Sequence, residues 1–112
     1  MKKIYIAGRL NGTAVEYLKN IHSMLLFAEA VRQCGYAVFV PCLDFLMGII
    51  MGNYEYNDYF SNSQPFLEIC DAIFVCPNWK TSEGTKKEIE RAEQLGIPVY
   101  YSLEELKKKE RL

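Results

Sequence analysis

An excess of either charge is missing from this chain: 13 Lys and Arg stand against 14 Asp and Glu, a formal net charge of −1. With both signs interspersed there is no basic stripe of the kind that duplex nucleic acid or anionic lipid requires. Long apolar runs are missing too. The opening Ile4-Tyr5-Ile6-Ala7 is too short for a signal-peptide core, and no window approaches the ~20 apolar residues of a spanning helix. The protein is therefore expected in the cytosol, away from membranes and nucleic acid. Histidine is nearly absent, with His22 alone, and the four cysteines form no C-x-x-C pair, so no zinc set is legible. Cys34, Cys42, Cys70 and Cys76 fall in or beside apolar stretches and read as reduced core thiols.

What remains is 112 residues, half of them apolar. Folding a chain of this length buries roughly two-thirds of its unfolded surface, so one domain over 1–112 closes without a disulfide or structural metal. Ile4 to Ala7 reads as a buried strand that breaks into the loop Gly8-Arg9-Leu10-Asn11-Gly12. Thr13 and Glu16 make a capping box for a helix over 14–34, with Leu18, Ile21, Leu25 and Ala28 as its apolar stripe and Gly35 as its stop. Tyr36 to Val40 is a second strand, ended by Pro41. Residues 42–63 are the least regular part. Phe45 to Met51 reads either as a glycine-interrupted helix packed on a neighbouring subunit or as a loose surface helix, and 52–60 as an aromatic polar loop suited to covering a pocket.

Further on, Gln64 to Cys70 reads as a short helix and Asp71 to Cys76 as a third strand. A helix from Thr81-Ser82 to Leu95 stops at Gly96, with Pro98 beyond it. Val99-Tyr100-Tyr101 is a fourth strand, and Ser102 with Glu105 caps a last helix carrying the solvated run Lys107-Lys108-Lys109. Strands alternating with helices predict a parallel sheet covered on both faces, whose ligands bind beyond the carboxyl ends of the strands.

That rule singles out the loops Gly8–Gly12 and Pro77–Gly84, both leading into helix N-termini where exposed N–H groups attract anions. Arg9, Lys80, Lys86 and Lys87 stand ready to add charge, although Gly8-x-x-x-Gly12 is neither a P-loop nor a dinucleotide fingerprint. Ser82 and Gly84 are either a close phosphate approach or an ordinary cap and loop glycine. Gly84, Glu88, Ala92 and Leu95 are spaced 4, 4 and 3 and share one helical face, expected to be the buried one. A carboxylate on that face costs free energy unless it is hydrogen-bonded or used, which makes Glu88 a candidate nucleophile or base; the alternative is an exposed stripe edge.

Tyr5 to Gly12, Cys70-Asp71-Ala72-Ile73, Ser82-x-Gly84-x-x-x-Glu88 and Gly96 to Tyr101 together resemble the nucleoside 2-deoxyribosyltransferase superfamily, and within it a small phage and bacterial branch. The resemblance covers nearly the whole chain. It implies a single-domain, flavodoxin-like (Rossmann-like), three-layer α/β/α fold with a parallel sheet of four to five strands, and a homodimer with sites near the subunit interface. It also implies that Glu88 attacks the anomeric carbon of a nucleoside or nucleotide, the base leaves, and water or a second base resolves the glycosyl ester, with no metal or organic cofactor. Ser82, where members acting on free nucleosides tend to carry aspartate, tilts the resemblance to nucleoside 5′-monophosphate N-glycosidases.

The mechanism matches retaining glycosidases, in which one carboxylate is nucleophile and a second acid protonates the leaving group. The second acid is where this chain departs from the pattern, because Ser63 occupies the place often held by aspartate. Asp58, in the tyrosine-rich loop, is the replacement expected to fold over the site; Asp71 starts a strand and is weaker. Arg9, where proline is common, is either a phosphate ligand or a surface residue. Tyr5 lines the base or sugar pocket or simply packs the core. Trp79, Tyr54, Tyr56 and Tyr59 are available to stack on a base or to make a dimer contact. The two readings that follow are an N-glycosidase of nucleoside 5′-monophosphates and a catalytically silent nucleotide-binding module, with deoxyribosyl transfer between bases as a third.

Overall fold

A computed structural model of the chain describes residues 1–110, without the side chains of Phe45, Leu46 and Glu110. Four strands, β1 (Lys3–Ala7), β2 (Ala37–Phe39), β3 (Ala72–Val75) and β4 (Val99–Tyr100), form one sheet in the order β2-β1-β3-β4. Every pairing is parallel, with Tyr5 opposite Phe39 and Ile73, and Phe74 opposite Tyr100. The order is the flavodoxin-like one, whose crevice opens where successive crossovers turn to opposite sides, here between β1 and β3.

Side chains alternate across the strands and divide the core in two. On one face Ile4, Ile6, Phe74 and Tyr100 pack against Met24, Ala28 and Val31 of α1 (Ala14–Gln33) and Leu106 of α5 (Leu103–Glu110). On the other Tyr5, Ala7, Ile73 and Val75 pack against Leu67 of α3 (Tyr56–Glu68) and Ile89 and Ala92 of α4 (Glu83–Gln94). The result is the expected three-layer sandwich, with four strands. Cys42, Cys70 and Cys76 are buried, and half-buried Cys34 donates to the Ala30 carbonyl at 3.3 Å. Among the described residues no helix is long and apolar enough to cross a membrane.

Local signals place the helix starts. Thr13 accepts from the Glu16 amide at 3.2 Å while Glu16 accepts from the Thr13 amide at 2.9 Å, and Gly35 ends α1 at φ +100°. The buried stripe of α1 differs from the expected one. Ile21, Met24, Ala28 and Val31 face the sheet, whereas Leu18 and Leu25 are exposed, because α1 carries two apolar faces and the sheet takes the one centred on small Ala28.

Residues 42–63 are more regular than their composition predicts. A 3-10 turn (Pro41–Asp44) leads into α2 (Phe45–Met51), and α3 begins at Tyr56 and runs unbroken through Pro65. The second half of the expected loop, from Tyr56, is thus the start of a helix, opened by a reciprocal Glu55–Asp58 capping box that the aromatic residues obscure in the sequence. Arg91 of α4 donates to Glu68 of α3 at 2.9 and 2.7 Å, joining the two helices on that face.

Phe74 is 1% exposed and its ring centroid lies 5.7 Å from that of Phe27. Phe74→Ala is expected to cost about 3–5 kcal/mol by leaving a cavity in the first core, read as a lowered urea midpoint at unchanged slope.

Candidate active site

The carboxyl ends of β1, β2 and β3 each hand the chain to a segment that frames one cavity of about 640 Å³, within the range that accommodates a small-molecule ligand. From β1 come Gly8, Leu10, Asn11 and Gly12; from β2, Pro41 and Asp44; from β3 and α4, Ser82, Gly84, Thr85 and Glu88. The roof is aromatic: Tyr54, Tyr56, Tyr59 and Phe60 lie along the start of α3. A second depression of about 390 Å³, lined by Arg9, Thr81 and Lys87, shares Asn11, Gly12, Tyr56, Ser82 and Gly84 with the first. An apolar chamber thus continues into a polar mouth with two cationic side chains, Arg9 and Lys87, and one carboxylate, Glu83.

The β1 loop is fixed by asparagines. Asn78 accepts from the Arg9 amide at 3.0 Å and donates to the Arg9 carbonyl at 3.3 Å, while Asn20 donates to the Leu10 carbonyl at 3.2 Å. The close approach of β1 and β3 explains Gly8: a Cβ there would stand 2.9 Å from the Cys76 Cβ. Arg9 reaches across the mouth and donates to the Asn11 carbonyl at 3.0 Å and the Thr81 hydroxyl at 3.1 Å. Ser82 is the N-cap of α4, accepting from the Thr85 amide at 3.1 Å and its hydroxyl at 2.8 Å. Ser82, Glu83 and Gly84 line the mouth, so the start of α4 borders it.

Glu88 stands one turn into α4. The buried stripe of that helix is Thr85, Ile89 and Ala92, with Leu95 43% exposed, so Glu88 borders the core rather than lying on its stripe as expected. The neighbouring register turns its carboxyl into the cavity. Tyr5, wholly buried in β1, donates its hydroxyl to the Glu88 Oε2. Burial pushes the Glu88 carboxyl up from 4.5 to about 7, against the opposing pull of the Tyr5 hydrogen bond. The Tyr5 phenol is itself held well above 10 by burial and by the Glu88 charge. Ser63, buried in α3, completes the chain: its hydroxyl is hydrogen-bonded to Tyr5 and donates to the Phe60 carbonyl at 3.3 Å.

Two expected site residues lie elsewhere. Asp58 is exposed and accepts from the Glu55 amide at 2.7 Å, so it caps α3 and does not line the cavity. Its side chain is committed by its position in the helix's first turn. Trp79 packs against the second core, with its ring centroid 5.4 Å from Tyr101, because the 3-10 turn after β3 (Pro77–Thr81) points it toward β4. Asp71 receives the Lys3 amide at 2.7 Å at the amino end of the sheet, far from the crevice. Asp44, Asn20 and Asn78 were not singled out by the sequence; Asp44 and Asn78 each follow a strand closed by proline, the signal that could have marked them. Among the described residues no group of three or more His, Cys, Asp or Glu could hold a metal ion.

Residues 2–101 match the model of the family described as domain of unknown function (DUF4406). The chain belongs to this family. Among solved structures, a 2-deoxyribosyltransferase from Bacillus psychrosaccharolyticus is similar at 26% identity and a TM-score of 0.65, over 87% of this chain and 69% of that one. No curated protein matches. With the fold and the motifs of β1 and α4, these similarities place this DUF4406 chain in the nucleoside 2-deoxyribosyltransferase-like superfamily.

A carboxyl whose folded pKa is raised stabilises the protein fully below its unfolded pKa and loses that contribution as pH rises through the folded one. For Glu88 the window runs from 4.5 to about 7, worth on the order of 3 kcal/mol at about 1.4 kcal/mol per unit. Glu88→Gln is therefore expected to raise the urea midpoint at pH 8.5 and to leave it nearly unchanged at pH 4.

Proposed function

We propose that this protein cleaves the N-glycosidic bond of a nucleoside 5′-monophosphate, with Glu88 as nucleophile. The observation that carries the reading is the placement of Glu88: a carboxylate bordering the core, bonded by buried Tyr5, in a chamber that opens onto the N-terminus of α4 beside Arg9 and Lys87. A carboxylate at that place attacks the anomeric carbon, the carbon–nitrogen bond breaks with its electron pair passing to the base, and a glycosyl ester forms. Water then hydrolyses the ester. Tyr5 holds the carboxylate oxygen in a fixed direction, and the aromatic roof of α3 excludes bulk water from the charged intermediate.

The phosphate belongs in the mouth. Ser82, the first turn of α4 and the Arg9 and Lys87 side chains supply donors and positive charge in the depression that adjoins the Glu88 chamber. Tyr56 couples roof to mouth, since its hydroxyl would stand 2.8 Å from a Cβ at Gly84 and the Lys87 ammonium lies 5.7 Å from its ring centroid. The likeness to a deoxyribosyltransferase supports chemistry at a nucleoside C1′. Ser63, a hydroxyl where an acid would serve, favours the second reading, a silent nucleotide-binding module.

Purified protein and its Glu88→Ala variant, given ribo- and deoxynucleoside 5′-monophosphates, are expected to differ completely, with free base released by the wild type alone. Water-dependent release marks a hydrolase, and exchange of a labelled base into substrate marks a transferase. Nucleotide bound without release by the wild type decides for the silent module. Because attack requires the ionised carboxylate, the acidic limb of the kcat/KM profile is expected to carry an apparent pKa near 7, the value burial gives Glu88.

A further inference from the structure

Resting on the glycosidase reading above, we infer that Asp44 is the acid that protonates the departing base. Departure of a nucleobase from C1′ leaves a negative charge on its ring unless a proton arrives as the bond breaks. The cavity is lined by two carboxyl groups, Glu88 and Asp44. Glu88 is occupied as nucleophile, and the hydroxyl of Ser63 cannot take an acid's part.

Asp44 lies at the opposite wall. It ends the 3-10 turn that follows β2, while Glu88 lies on the helix that follows β3. Since β1 runs between those strands, their carboxyl ends are about 10 Å apart at the usual spacing of ~4.8 Å per strand. A sugar held between the Ser82 mouth and Glu88 turns its base across β1, toward Pro41, Asp44 and Tyr17. An acid acting on a ring atom of a base lies farther from the nucleophile than one acting on a glycosidic oxygen, so carboxyl groups carried after β2 and β3, with β1 between them, suit this leaving group.

Burial raises the Asp44 carboxyl from its ordinary value, while hydrogen bonds from the Asn62 side chain and its own backbone pull the other way. The other groups facing it are Tyr17 of α1, Tyr5 of β1, Cys42 of its own turn and Tyr59 of α3, each pushed upward partly by the Asp44 charge. No cation is among them. The phenol of Tyr17 is raised to about 12, which leaves it a poor acid at neutral pH. In the forward step the Asp44 proton passes to the base; in the hydrolytic step the resulting carboxylate takes a proton from the attacking water, and the cycle closes with both carboxyl groups restored.

The test compares two leaving groups. 2′-Deoxyguanosine 5′-monophosphate needs a proton on its base, whereas its 7-methyl derivative carries a base that departs neutral without one. Asp44→Asn is expected to slow the first by about 100-fold or more, the usual worth of general acid catalysis, and to leave the second within about threefold of wild type. Glu88→Ala is expected to lose both. The ratio of the two rates in one preparation does not depend on the folded fraction, and Asp44→Ser provides a second variant should Asp44→Asn not fold. An unchanged ratio, whether both rates fall together or neither falls, overturns the role of Asp44. A wild type inert on both substrates and on the other ribo- and deoxynucleoside 5′-monophosphates instead overturns the glycosidase reading and this inference with it.

Discussion

The hydrogen bond from Tyr5 to Glu88 joins the centre of the sheet to the helix that carries the proposed nucleophile. Tyr5 is wholly buried, stacked on Phe39 at 5.5 Å between centroids, and Phe39 is stacked on Phe66 at 4.6 Å. The phenol is therefore fixed by three layers of aromatic packing before it meets the carboxylate. A group held so rigidly positions its partner at little entropic cost in each turnover. The same burial raises the Glu88 carboxyl to about 7, so rigidity and tuning come from one arrangement. The protein gives up stability at neutral pH to keep a carboxylate there, a common relation between active sites and the folds that hold them.

The rest of the site follows from where parallel strands end. β1, β2 and β3 stop at nearly one level, and Gly8 lies so close to Cys76 that the chains after β1 and β3 must diverge. The crevice opens at that divergence. Asn78 fixes its floor from the β3 side by bonding both backbone groups of Arg9, so the loop that faces the ligand is set by β3 rather than by its own sequence. Backbone groups aimed by a neighbouring strand do not reorient when a ligand arrives.

Several of these features were open to a reading of the sequence, and the reasons are physical. Strand cores announce themselves as short apolar runs, and caps such as Thr13–Glu16 and Ser102–Glu105 as fixed spacings, so β1, α1, β3 and α5 lie where expected. Glu88 stood out as a carboxylate among small residues, although its exact register against the stripe of Thr85, Ile89 and Ala92 did not. Residues 42–63 resisted because tyrosines and asparagines carry no clean period, and a cap built from Glu55 and Asp58 looks like loop chemistry. Asp58 and Trp79 were misplaced by the same limit. Proximity in sequence to a pocket loop says nothing about direction, and one committed hydrogen bond or one turn of 3-10 helix sends a side chain elsewhere.

Asp44 shows the reverse case. Its local sequence marks it only by the proline that closes the preceding strand, in Pro41-Cys42-Leu43-Asp44. Only the order of the strands brings it opposite Glu88, with β1 between them. A retaining mechanism asks for two carboxyl groups with different protonation states at one bond. Both carboxyl groups are raised by burial, Glu88 to about 7 against the pull of a buried phenol and Asp44 against hydrogen bonds from Asn62 and its own backbone. The roof that carries Asn62 also carries Tyr56 and Ser63, which reach Gly84 and Tyr5 on the far wall. One helix, α3, thus touches both carboxyl groups' surroundings, so any displacement of that helix changes the proposed nucleophile and the proposed acid together.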